Sequence, residues 1–153
     1  MKLFLFTLIT FMCTQAFAAT TEVNWDTLKT LELDPKTKKL NIKPDLKKVL
    51  GKEILIKGFM MPLDYESKEV KEFLFMPYVP ACMHVPPPPA NQLILVQMKK
   101  GAKIKPSFYP IALTGKLAVE ANADLESSFK FEGSTVKELK DYTPPPAQQG
   151  AHP

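Results

Sequence analysis

Ahead of Lys52 the apolar residues of this chain recur at helical intervals; beyond it they crowd into runs of strand length. Trp25, Leu28 and Leu31 share one helix face, and Asn24 just before them suits an N-cap, so a short helix is predicted to open there. Pro35 and the lysines after it end that element. Leu40 to Ile42 reads as a short strand, and Pro44-Asp45 starts a second brief helix or turn that closes at Gly51. Ile54 to Met61 is a strongly apolar strand with Gly58 inside it. Val70 to Met76 is two-sided: Val70, Phe73 and Leu74 fit a helix face, while Phe73 to Met76 fits a buried strand. Leu93 to Met98, Ile111 to Glu120 and Ser128 to Phe131 read as strands, and Val136 to Tyr142 closes the domain.

Two of these runs echo each other, Leu55-Ile56-Lys57-Gly58-Phe59-Met60 and Ala112-Leu113-Thr114-Gly115-Lys116-Leu117. A glycine inside an apolar strand marks a bend, a bulge or a close backbone approach. Long strands bent in this way around one core predict a mainly β fold, a small OB-like barrel of about five strands with one or two short helices.

The chain's first residues change the picture from fold to place. Met1-Lys2 supplies a positive start, Leu3 to Met12 is almost wholly apolar, and Ala16 and Ala18 form a small-x-small exit. That order of features predicts a signal peptide over residues 1–18, so the protein is expected to be periplasmic. Cys13 follows the bulky Phe11 and Met12, which argues against a lipoprotein. No later run is long enough to cross a membrane as a helix. One domain is expected over 19–142, with a disordered, proline-rich tail over 143–153 that lacks apolar residues.

All 20 basic residues are lysine, against 16 acidic ones. Specific nucleic-acid recognition leans on the bidentate guanidinium, so no nucleic-acid partner is expected; weak attraction to anionic lipid is compatible with the mild positive excess. With Cys13 removed, Cys82 is the only thiol, and no internal disulfide can form.

Unusual chemistry concentrates between Pro80 and Gln92. Cys82 and His84 stand two apart, so in an extended chain both side chains leave one face and could hold a metal ion, with zinc favoured over copper. Asp64 and Glu72 are candidate third ligands, with Glu66 and Glu69 beside them in sequence. Pro86, Pro87, Pro88 and Pro89 stiffen the next stretch into a polyproline II ridge without backbone donors. Asn91 and Gln92 carry amides that could bond the carbonyls of that ridge or a ligand. A buried cysteine and a carbonyl-bonded histidine would satisfy the same pattern without any ligand.

Gly58-Phe59-Met60-Met61-Pro62-Leu63-Asp64, Glu72 to Tyr78, and Ala81-Cys82-Met83-His84-Val85-Pro86-Pro87-Pro88-Pro89-Ala90-Asn91-Gln92 together resemble a family of exported bacterial proteins known as a domain of unknown function. The resemblance runs from about Trp25 to Leu139 and carries the Cys-x-His-x-Pro-Pro-Pro-Pro-x-Asn-Gln string. It implies an OB-like barrel and, from some members, an association with ABC-type transporters and zinc homeostasis, and it brings no catalytic activity with it. Pro80 stands where that family's pattern commonly has glycine.

Three functions are therefore expected, in order. The first is a periplasmic metal-binding or accessory protein using Cys82 and His84, linked to a membrane transporter or another periplasmic protein. The second is a metal-free interaction module that docks through its proline ridge. The third is a thiol enzyme in which His84 activates Cys82, although no oxyanion site or orienting acid accompanies them.

Overall fold

The computed structural model describes residues 20–34, 36, 39–80, 86–100, 102 and 104–143. The expected signal peptide and the proline-rich tail from Pro144 lie outside the described residues, as do Cys82 and His84.

A two-residue strand, β1 (Thr21–Glu22), leads into helix α1 (Trp25–Lys29). Asn24 caps α1 as expected, its Oδ1 accepting from Thr27 N–H at 3.0 Å. Two short strands, β2 (Glu32–Leu33) and β3 (Leu40–Asn41), pair antiparallel as a sheet of their own. Helix α2 (Pro44–Val49) starts on its proline and stops before Gly51, whose φ of +73° is the left-handed conformation that ends helices. The long strands follow: β4 (Glu53–Pro62), β5 (Glu72–Met76), β6 (Ile94–Met98), β7 (Ile111–Asn122) and β8 (Ser127–Glu138), with a single 3-10 turn at Ala90–Gln92 ahead of β6. The two-sided stretch before Pro77 is thus a strand, fully paired from Phe73 to Met76 with β4.

The main sheet has the order β1-β4-β5-β6-β8-β7, and β4 pairs additionally with β7. This corrects the expected OB-like barrel of about five strands. Six strands enter one mixed sheet, with parallel pairing at both β1–β4 and β6–β8, register shifts along β7–β8, and β2 and β3 set apart. The glycines that suggested barrel corners have a more local duty. β4 pairs with β7 from Glu53 to Gly58 and with β5 from Phe59 to Pro62, so Gly58 is where the strand changes partner. A Cβ there would come within 2.5 Å of the Met76 carbonyl oxygen. At Gly115 a Cβ would run into the Glu132 backbone, beside the shift in register between Thr114 and Gly115.

Alternate residues of β4 turn inward, so Ile54, Ile56 and Met60 join the core with Phe73, Phe75, Phe129 and Phe131. The four phenylalanines are fully buried. Helices α1 and α2 close this core through Trp25, Leu28 and Leu46. β8 is longer than the short strand expected at Ser128 to Phe131, because pairing with β7 continues out to Glu138 and absorbs Val136.

Candidate functional site

The segment singled out by its chemistry leaves β5 at Pro77 and returns through the 3-10 turn into β6. Its described flanks converge. The Tyr78 hydroxyl donates to the Pro86 carbonyl at 3.3 Å, joining the described residues on either side of 81–85. Pro88 is buried, while Pro86, Pro87 and Pro89 are exposed. The ridge is therefore seated by one ring and presents the others to solvent. Val79, the residue after Tyr78, is 51% exposed.

Asn91 does not bond the proline carbonyls. Its Nδ2 donates to the carbonyls of Lys29 at 3.2 Å and Leu31 at 3.1 Å, the unpaired acceptors at the end of α1. Two acceptors on one side assign that side to the amide nitrogen. Its Oδ1 is buried without a partner among the described residues. The amide thus fastens the motif to α1 across some sixty residues of chain.

Gln92 lines a cavity of about 160 Å³ together with Trp25, Tyr78, Lys57, Glu22 and Tyr142. Trp25 is held in its wall by an Nε1–H bond to the Lys57 carbonyl at 2.7 Å and by Phe75, ring centroids 5.5 Å apart. Lys57 pairs with Glu22 at 2.8 Å. Burial pushes the Tyr142 phenol above its ordinary value, opposed by the nearby Lys57 charge. Sequence reading placed Trp25 only on a helix face and missed Tyr142 here. Residues 25, 57, 78, 92 and 142 share no local signal.

Asp64 and Glu72 lie elsewhere. Both line a separate cavity where β5 begins, whereas the motif leaves from the end of that strand. Glu72 accepts from Gln97 Nε2 at 2.6 Å, and the Asp64 carboxylate accepts from Glu66 N–H at 3.0 Å. Among the described residues no three of His, Cys, Asp and Glu come together as a ligand set. A zinc site needs three or four such donors, so the metal-binding expectation finds no ligand set among the described residues, which do not include Cys82 and His84. No helix among the described residues is long and apolar enough to cross a membrane.

The family model described as "Protein of unknown function (DUF3299)" matches residues 13–138. A crystal structure of a DUF3299 family protein from Pseudomonas aeruginosa is 24% identical, covers 82% of this chain and 99% of its own, and superposes with a TM-score of 0.60. A Leishmania major chain described as an aspartyl-tRNA synthetase is 5% identical over 83% of this chain and 22% of its own, with a TM-score of 0.44. No curated protein matches. The match at 13–138 also corrects the resemblance drawn from the cysteine–histidine–proline string, since the OB-like barrel that came with it does not stand.

Proposed function

The chain belongs to the DUF3299 family of proteins of unknown function, and on that premise we propose that it is an exported interaction module that docks onto a partner protein of the cell envelope through its proline ridge. The observation that carries this reading is the seating of the ridge. Pro88 is buried and Asn91 is tied to α1, so the exposed rings of Pro86, Pro87 and Pro89 stand on a fixed base. A ridge already held in one conformation loses little entropy on binding, and it has no backbone donors that a partner must satisfy. Aromatic-lined grooves take such segments, with pockets spaced for alternate proline rings. Tyr78 touches the ridge through its bond to Pro86, and the exposed Val79 follows it in the chain.

The signal-peptide pattern supports a periplasmic setting for this activity, with the periplasmic face of a membrane transporter as a partner of suitable kind. Metal coordination has no part in the proposal.

A photo-crosslinking side chain placed at Val79 in living cells tests it. A single discrete adduct is expected, unchanged by a chelator. Replacing Pro86, Pro87 and Pro89 by alanine should reduce that adduct by about tenfold, because three freed residues must be ordered again on binding. An adduct of equal yield in the alanine variant, or none at Val79 in the native background, overturns the reading.

A further inference from the structure

The connection that leaves β6 carries a second surface, independent of the ridge. Between Glu72 and Glu120 the chain has no acidic residue, and this stretch includes Lys99, Lys100 and Lys105, all exposed. Shortly after these lysines the chain reads Pro106-Ser107-Phe108-Tyr109-Pro110. Phe108 is 95% exposed and Tyr109 is 58% exposed, which is far from the usual lodging of an aromatic ring.

This exposure is built rather than incidental. Ser107 is buried, and its Oγ accepts from the Tyr109 N–H at 3.1 Å, forming a tight turn whose tip is Phe108. The Pro110 carbonyl accepts from Leu139 N–H at 2.8 Å, which fastens the far side of the turn to the end of β8. The near side is fastened where Val70 N–H donates to the Ile104 carbonyl at 2.8 Å. The turn therefore holds Phe108 outward from a braced base.

We propose that the Phe108–Tyr109 turn, with Lys99, Lys100 and Lys105, binds the surface of an anionic phospholipid bilayer. Aromatic rings partition into the boundary between headgroups and acyl chains, and lysine ammoniums on long stems reach anionic headgroups while their methylenes lie along apolar surface. Charge selects this occupant. A stretch with cations and no carboxylate of its own complements an anionic sheet of headgroups. For a protein released into the periplasm, such a surface holds it against a membrane and orients it there.

Flotation with vesicles tests the proposal, using the exported form from Ala19 onward, which keeps the whole described fold and lacks the apolar residues 3–12. Vesicles of phosphatidylethanolamine and phosphatidylglycerol should capture the protein, and capture should weaken as salt rises. Phe108→Ala should lower the partition coefficient about tenfold, the scale expected for one lost aromatic anchor. A Lys99→Gln/Lys100→Gln/Lys105→Gln variant should remove the preference for phosphatidylglycerol. Both changes are at exposed positions, so an unchanged thermal transition will show that the fold is intact. Equal capture of native protein and Phe108→Ala, equal capture by neutral phosphatidylcholine vesicles, or no capture at all overturns the proposal. Each of these leaves the crosslinking result at Val79 untouched.

Discussion

Strand β6 is entered and left by two connections that look alike as sequence and differ as structure. Both carry prolines and exposed aromatic or apolar side chains, and both lie within the stretch that lacks acids. The entering connection is fastened inward: Pro88 is buried, Asn91 bonds the carbonyls of Lys29 and Leu31 at and just past the end of α1, and Tyr78 bonds Pro86. The leaving connection is fastened only at its base, and its tip, Phe108, touches almost nothing. A conspicuous string of residues can therefore be architecture in large part, while a plain one exposes the side chain with no structural duty.

Mutation should separate the two connections by where the damage registers. Trp25→Ala removes the ring that packs on Phe75 beside the entering connection, and should cost about 3–5 kcal/mol of stability in a urea titration. Asn91→Ala leaves the Lys29 and Leu31 carbonyls unpaired and should cost about 1–3 kcal/mol by the same measurement. If Asn91→Ala proves neutral, the ridge is not held in place by α1, and the contrast between the connections fails. Phe108→Ala, by contrast, should change stability by less than about 0.5 kcal/mol.

The smallest effect concerns pH. Burial raises the Tyr142 phenol, so the folded state favours its neutral form. The stability this contributes is complete below the ordinary phenol value of about 10 and is lost as pH climbs through the folded value. Tyr142→Phe should therefore flatten the decline of the melting temperature at the alkaline end, while leaving it nearly unchanged at neutral pH. Because the ring is only partly buried, the difference is expected to be slight.

Local signals were legible wherever a residue and its partner lie close in sequence. Asn24 capping α1, Pro44 opening α2 and Gly51 closing it all rest on contacts within one turn. The apolar run from Ile54 to Met61 announced β4, and in the structure every second side chain of its first part found the core. The candidate site was legible as composition but not as geometry. Asp64 and Glu72 were plausible partners for Cys82 by residue type, yet they line a cavity at the opposite end of β5 from the one the motif leaves. The one-dimensional pattern bears on Phe108 only through Pro106 and Pro110, which bracket an aromatic pair after lysines and without acids.

By itself the sequence determined the two short helices and the strands at Ile54 to Met61, Leu93 to Met98 and Ile111 to Glu120, because those follow from side-chain period and from chemistry within a few residues. It also determined the signal-peptide pattern and the composition of the proline segment. Tertiary structure alone decided that β6 and β8 pair in parallel, that β4 changes partner at Gly58, and that Asn91 reaches α1. Those outcomes depend on groups tens of residues apart. Their meeting is settled by which arrangement of strands buries the four core phenylalanines while pairing the backbone, a condition on the whole chain that no local stretch encodes.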